Sequence, residues 1–360
     1  MTNKEVDGLL LFYREKGRKL PWRRNPTPYH VYVSEIRLQQ TRVGAVIDYY
    51  HRFRKAFPTR EDFVKADEDA YLKLWQGLGY YSRVKNRHKA MSILVLEHRD
   101  IPSDSQELLK LPGIGYYTSK SISSIAFQEK CVAVDGNLFR VFSRLTCYPA
   151  EFSEKGKRDC ESFFYPFLPS RPGDFNQALM DLGERVCLPN GTPLCEECPF
   201  KDSCLSHQKK EELQFPIKKK PIEKKEEEHV LYFFRFKDKL LLRKRPSKGL
   251  LASLYEPINR TARTDSEEKD FLSFYHVQKR EGIDLGTYHH VFSHRIWKRK
   301  GYLFHLDREP RLSDSEVLAG REEIESVYPL PSAFLPFRKR VFQSKRFTFL
   351  MVCLIRNMQL

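Results

Sequence analysis

The sequence predicts two parts of different class: a mostly α region over residues 1–205 and an α+β domain over 229–360, joined by a charged linker over 206–228. Three observations predict this. Apolar residues recur at the helical period before residue 205. Between 206 and 228, seven Lys and six Glu fall in 23 positions together with Pro216 and Pro221, a composition that cannot bury a core. From His229 onward, short β-rich runs alternate with turn residues. At 360 residues the chain is too long for one core, and a 41% hydrophobic share excludes a wholly disordered one.

The elements follow in order. Val43, Val46, Ile47, Tyr50 and Phe53 predict one helix, and Tyr71, Leu72, Leu74, Trp75 and Leu78 another. Ser103 and Gln106 have capping-box spacing ahead of Leu108, Leu109 and Leu111. In the C-terminal part, Val230–Phe236 and Leu240–Arg243 flank Lys237-Asp238-Lys239 as a hairpin, and Val291–Trp297 with Gly301–Leu306 predicts a second.

Charge and cysteine placement narrow the function. Sixty-three basic against 47 acidic residues leave a net +16, which favours a polyanionic partner, nucleic acid before membrane. The longest apolar run, Phe349–Ile355, has seven residues where a membrane span needs about 20. Met1–Leu10 lacks the apolar stretch of a secretory signal, so a reducing, cytoplasmic setting is expected. There, clustered cysteines bind metal rather than pair. Cys187, Cys195, Cys198 and Cys204 crowd into 18 residues, while Cys131, Cys147, Cys160 and Cys353 are scattered. Four thiolates this close can enclose a [4Fe–4S] cluster or one Zn²⁺. Only the central pair is closely spaced, which favours the cluster.

Three further features carry chemistry. Leu111-Pro112-Gly113-Ile114-Gly115 ends one helical pattern and opens another, so backbone N–H groups could receive a DNA phosphate, directly or through a bound cation. Glu35 and Asp135 are candidate carboxylates: breaking a glycosidic bond needs one carboxyl to protonate the leaving group and one to stabilise an oxocarbenium-like centre. From the residues alone, the favoured readings are a surface side chain for Glu35 and, for Asp135, a turn or the cap of the helix that follows.

Taken in order, Ser34-Glu35-Ile36-x-Leu38-Gln39-Gln40-Thr41, Gly77-Leu78-Gly79-Tyr80-Tyr81-Ser82-Arg83, Leu111–Thr118, Val134-Asp135-Gly136-Asn137, Met180-Asp181-Leu182-Gly183 and the four cysteines closely resemble MutY-type adenine DNA glycosylases of the helix-hairpin-helix base-excision superfamily. The resemblance implies a helix-hairpin-helix glycosylase fold of two helical modules over the catalytic residues 1–205. One module would run from about Arg23 to Ile125. The other would combine the N-terminal residues with 126–205 and the cluster. A Nudix-like 8-oxoguanine recognition domain would occupy 229–360, where Arg245-Pro246-Ser247-x-Gly249-Leu250 and Phe292-Ser293-His294 match and no hydrolase signature is found.

The resemblance also implies the activity: hydrolytic removal of adenine mispaired with 8-oxoguanine or guanine in double-stranded DNA, by a monomer. Glu35 would protonate adenine N7, Asp135 would stabilise the cationic sugar, and Asn137 would be its polar neighbour. Gln40, Thr41 and Tyr80 would wedge into the duplex and contact the oxidised guanine, with Ser293 and His294 on its other side. Gly113, Gly115 and Tyr117 would meet DNA. Arg18, Trp22, Arg23, Leu38 and Gln177 would line the adenine pocket. Strand-cleaving relatives carry a lysine where this chain has Tyr117, so a monofunctional enzyme is expected, with Lys120 one turn on as a weak alternative amine. A thymine or other mismatch glycosylase of the same superfamily is the alternative enzyme, disfavoured by Phe292-Ser293-His294. A non-catalytic iron–sulfur DNA binder is the alternative from another class, disfavoured by the presence of both carboxylates.

Overall fold

The computed structural model describes residues 1–35, 43–218, 223–261 and 264–343, without the side chains of 43–45 and 343. Leu38, Gln40, Thr41, Cys353 and the apolar run Phe349–Ile355 lie outside the described residues. The chain forms two compact units, Met1–Lys65 with Asn86–Pro221, and Ala66–Lys85 with Ile222–Leu360.

The first unit is helical. The expected helix at Val43 runs Val43–Ala56. Its aromatic face makes one half of the unit's core, where Phe53 meets Phe57 and Phe63 edge-on with centroids 5.0 Å away in each case. The other half joins distant stretches. Val6, Leu9 and Phe12 of the N-terminal helix Asn3–Lys16 are buried with Leu138, Phe142, Phe164, Phe175 and Leu179. The N-terminal residues thus belong with the module that carries the cysteines, as the resemblance implies. Ser103 does not cap the helix Ser105–Leu109. Asp104 does, accepting from the N–H groups of Gln106 and Glu107, because its carboxylate stands one residue nearer the helix start.

Glycine sets two close approaches here. Gly113 has φ +73°, and a Cβ there would fall 2.6 Å from Asn86 Cβ. A Cβ at Gly183 would fall 2.8 Å from Asn137 Cβ, so only glycine lets the helix Pro172–Arg185 lie against the start of Gly136–Thr146.

The second unit is built on a mixed sheet. Among the described residues its strands are β1 (Lys225–Phe236), β2 (Lys239–Lys244), β3 (Tyr255–Glu256), β4 (Ile258–Thr261), β5 (Ile283–Val291), β6 (Arg295–Leu306) and β7 (Glu316–Ala319). The order is β3-β2-β1-β6-β5, with β4 on β1 and β7 on β2. Strands β1 and β6 pair in parallel, from Lys225↔Arg295 to Phe236↔Leu306. Side chains of β1 alternate between two cores: Leu231 and Phe233 on one face, Tyr232 and Phe234 on the other. A strand covered on both faces reads as a continuous apolar run.

The first expected hairpin is present, with Phe236 paired to Lys239 across the turn. The second is displaced. Its turn is Phe292-Ser293-His294, between β5 and β6, and Lys298-Arg299-Lys300 lies inside β6. The misplacement has a physical cause. Arg299 is completely buried, with its guanidinium over the rings of Phe334 and Phe337 and a hydrogen bond to the Ala333 carbonyl, so it faces inward between Trp297 and Gly301. Burial lowers its pKa to about 10.

Two expected boundaries also shift. Strand β1 begins at Lys225, inside the expected linker, because the alternation Lys225–Glu228 pairs with β6. Residues 66–85, including Tyr80, belong to the second unit. Lys73 Nζ donates to the Ile324 and Tyr328 carbonyls at 2.8 and 3.1 Å, and Asp69 accepts from Lys244 and Tyr255.

Candidate functional site

Glu35 ends the helix Pro28–Glu35 and is 3% exposed, so it is not a surface carboxylate. Tyr117, in the first turn of the helix Tyr116–Phe127, donates its phenolic hydrogen to Glu35 Oε2 at 2.8 Å. Burial pushes the Glu35 carboxyl up. The contacts of Ser121 and Tyr117 and the charge of Arg23 oppose that rise, and the charge of Asp135 adds to it. Ser121 is fully buried, and among the described residues its Oγ meets no partner in full hydrogen-bonding geometry. A buried carboxyl with a raised pKa beside a second carboxyl is the arrangement expected of a general acid.

Asp135 caps the helix Gly136–Thr146. Its Oδ1 accepts from the N–H groups of Asn137 and Leu138 at 2.9 and 2.8 Å, and its Oδ2 accepts from Asn137 Nδ2 at 2.9 Å. These bonds fix the carboxylate, whose charge is felt at Glu35. Asp135 keeps partial exposure by surface area yet is packed round by protein, and burial raises its pKa against those hydrogen bonds. Asn137 in turn accepts from Arg140 Nη2 at 3.0 Å.

Sequence reasoning missed the residue that organises the arginines. Asp181 is completely buried and accepts from Arg18 N and Nε at 2.9 and 2.7 Å, and from Arg23 Nη1 and Nη2 at 2.7 and 2.9 Å. Burial alone would raise its pKa, but the two guanidiniums overrule it and hold the carboxylate below its usual range. The signal was an acid on an apolar helical stripe, Met180-Asp181-Leu182, where a carboxylate is buried only if paired. Trp22 is 4% exposed and packs edge-on against Tyr50 at 5.4 Å, and Gln177 is tied back to the Gly173 carbonyl. Lys120 is held by Glu161 and by Tyr116 Oη, the latter at 2.9 Å.

Gly115 opens the helix Tyr116–Phe127 with no side-chain cap, and the space where its Cβ would stand is empty to 4 Å. In the second unit, Ser293 and His294 are exposed at the β5–β6 turn. Phe292 holds that turn by packing on His290 and Trp297. The hydroxyls of Tyr80 and Ser293 hydrogen-bond to each other, 213 residues apart in sequence, and the Arg83 guanidinium lies 4.5 Å over the Tyr80 ring. Two residues expected to read one base therefore meet directly.

The four cysteines line one small cavity, with Val186 and Pro193 among its apolar walls. Arg144 Nη1 donates to Cys187 Sγ at 3.2 Å, and Arg140 Nε to the Cys187 carbonyl at 2.8 Å. These arginines were also missed. Their signal is the i,i+4 spacing on a helix whose other face is aromatic. Burial pushes the Cys187 thiol up, Cys195 to about 11 and Cys198 to about 12, so metal loading releases protons. Among the described residues, the three-ligand group whose donor atoms lie within 4.8 Å of one another is Cys195, His207 and Glu212.

Residues 33–165 match the family model of the HhH-GPD superfamily base excision DNA repair proteins, and residues 229–340 match a NUDIX domain. The chain is therefore a helix-hairpin-helix base-excision repair protein with a Nudix-like C-terminal domain. It is 30% identical over 388 residues to the adenine DNA glycosylase of Schizosaccharomyces pombe, covering 86% of this chain and 83% of the relative. It is 35% identical over 261 residues to that of Buchnera aphidicola subsp. Baizongia pistaciae, covering 69% and 71%. The chain belongs to the adenine DNA glycosylase family. It spans only 41% of the Rattus norvegicus relative and 57% of the Arabidopsis thaliana one. A thermostable thymine-DNA glycosylase superposes with a TM-score of 0.50 at 26% identity, covering 57% of this chain and 95% of that one. Endonuclease III trapped on DNA has the same helical fold, TM-score 0.50 at 21% identity, covering 58% and 98%. Among the described residues no helix is long and apolar enough to cross a membrane.

Proposed function

We propose that the chain is a monofunctional adenine DNA glycosylase that removes adenine opposite 8-oxoguanine or guanine and leaves an abasic site. The observation that carries this is the buried Glu35 carboxyl, held by Tyr117 and flanked by Asp135. Glu35 donates its proton to the leaving base. The Asp135 carboxylate, fixed by its capping bonds, offsets the positive charge that grows on the sugar, and water completes the substitution. Tyr117 carries no amine, and Lys120 is engaged with Glu161, so neither offers a free nucleophile for a Schiff base. Arg18 and Arg23, held by Asp181, wall the adenine pocket with Trp22, Leu38 and Gln177.

Double-stranded DNA is the partner. Backbone N–H groups at Gly115, reached through the tight turn at Gly113, take a phosphate, directly or with a cation between. Gln40, Thr41 and Tyr80 read the base opposite adenine, with Ser293 and His294 beside Tyr80. Cys187, Cys195, Cys198 and Cys204 hold a [4Fe–4S] cluster. The residues fit it: all four face one cavity, and Arg140 and Arg144 stand beside Cys187 to balance thiolate charge. A single tetrahedral Zn²⁺ with bonds of about 2.3 Å places its sulfurs about 3.8 Å apart, and the four thiols form no group that tight among the described residues. When bound, the cluster crosslinks the loop after the helix Pro172–Arg185 and so scaffolds the DNA-facing surface. The chain acts as a cytoplasmic monomer.

The test is a single-turnover assay on duplexes with adenine opposite 8-oxoguanine and opposite guanine. Free adenine should appear with the strand intact until alkali is added. Release of thymine from G:T duplexes with none of adenine would overturn the assignment.

A further inference from the structure

We infer that Trp75 is a positioning residue for lesion choice: its indole N–H holds Tyr80 in the left-handed backbone conformation from which the phenol ring is presented to the base opposite adenine. This rests on the proposed reading of Tyr80 as a residue that meets that base.

Trp75 closes the helix Glu68–Leu74, and the helix Ser82–Leu96 follows. Between them the backbone turns left-handed at Gly77, Gly79 and Tyr80, with φ of +90°, +70° and +47°. Glycine takes that conformation freely. A tyrosine takes it only under strain, which persists where the surroundings hold it, and such residues gather at functional sites. Burial does not offset the strain, because Tyr80 is exposed.

What holds Tyr80 is local and polar. Trp75 is buried and donates its indole N–H to the Gly79 carbonyl at 2.8 Å. That carbonyl belongs to the planar peptide unit joining Gly79 to Tyr80, so its direction fixes the plane from which Tyr80 takes its φ. The Leu78 N–H bonds to the Trp75 carbonyl at 3.2 Å, and the Gly77 N–H to Tyr81 Oη at 3.3 Å, which closes the turn on its other side. The Tyr80 carbonyl accepts from the Arg83 N–H at 2.9 Å. With the backbone held at both ends, the ring stands between the Arg83 guanidinium over its face and the Ser293 hydroxyl at its tip. A buried indole needs a partner for its N–H, and here the partner is the strained turn. A ring already in place loses little freedom when the duplex arrives. Without the tether, Tyr80 relaxes toward negative φ, its ring points elsewhere, and discrimination falls while the Glu35 chemistry stays.

The experiment measures single-turnover adenine release by the full chain on 8-oxoguanine:A and G:A duplexes at one salt concentration. Tyr80→Ala should lower the preference for the 8-oxoguanine duplex. Trp75→Phe keeps an aromatic ring and lacks the donor, and water can satisfy the half-buried Gly79 in its place. It should lower the preference by about 2–12-fold, the factor that one net hydrogen bond amounts to, with the G:A rate unchanged. In a chain that already carries Tyr80→Ala, Trp75→Phe should lower it no further. The benzothiophene analogue of tryptophan, introduced at position 75 alone, keeps the ring's shape with sulfur in place of N–H, and should repeat the Trp75→Phe result with packing intact. Wild-type preference in the analogue chain, while Tyr80→Ala lowers it, would overturn the inference and leave the reading of Tyr80 standing. Equal losses from Trp75→Phe with and without Tyr80 would also overturn it, since the indole would then act elsewhere. Unchanged preference in Tyr80→Ala would overturn the reading of Tyr80 itself, and the role of Trp75 with it.

Discussion

Replacing Asp181 by Asn should weaken the helical unit more than any other single polar change near the site. The carboxylate is completely buried and takes four hydrogen bonds, two of them a fork from Arg23. Arg18 and Arg23 retain only 15% and 11% side-chain exposure; Arg18 keeps its ion pair with Glu184, but Arg23 is left largely dry and without its carboxylate when the charge goes. The amide also turns an N–H toward guanidinium N–H groups. Removing one partner of a buried pair costs about 3–5 kcal/mol, a large part of the roughly 5–15 kcal/mol that holds a domain folded. For a unit of about 200 residues, each kcal/mol moves the midpoint by about 2–4 °C, which gives a fall of about 6–20 °C. The assay is thermal unfolding of the full chain followed at the helical far-ultraviolet signal. The pH dependence has a definite sign. A folded-state pKa below the unfolded value contributes stability above the unfolded pKa, and that contribution is lost as pH falls through the folded one. The variant should lack that acid-sensitive part, so its deficit shrinks as the solution is acidified. A loss below about 1 kcal/mol at neutral pH, or one that grows in acid, would refute the reasoning.

Ser121→Ala should shift the alkaline limb of the adenine-release profile upward in pH, because Ser121 favours the ionised form of Glu35. An unmoved limb would detach Ser121 from the acid. With Tyr117 in the lysine position, borohydride should trap no efficient covalent adduct with DNA, and trapping comparable to turnover would contradict the monofunctional assignment. Ser293→Ala with His294→Ala should reduce the preference for 8-oxoguanine:A over G:A by on the order of tenfold, since each net hydrogen bond contributes about 0.5–1.5 kcal/mol. The two rates are compared at one salt concentration, and an unchanged ratio would remove the turn from lesion reading.

The features legible in the sequence were those set by local rules. The cysteine spacing, the helix at Val43, the first hairpin and the capping role open to Asp135 all follow from residues within a turn or two of each other. What was not legible depended on distant packing. The burial of Glu35 is decided by Tyr117 and Ser121 on another helix. Asp181 reads as one acid in a helix until Arg18 and Arg23 arrive from more than 150 residues away. Lys298-Arg299-Lys300 looks like a turn because nothing local says that Phe334 and Phe337 cover Arg299. Residues 66–85 read as helical, and so they are over Glu68–Leu74. Their allegiance to the second unit rests on Asp69 and Lys73, whose partners lie beyond residue 240.

The central claim is that Glu35 is the acid that releases adenine. The measurement that meets it most directly is the single-turnover rate of adenine release from an 8-oxoguanine:A duplex by the wild-type chain and by Glu35→Gln, with duplex binding measured alongside. The amide keeps the shape and cannot donate a proton as an acid. The account predicts a rate lower by about 10²–10⁴ with binding nearly intact, the range a general acid contributes. A Glu35→Gln rate within about tenfold of wild type would contradict it.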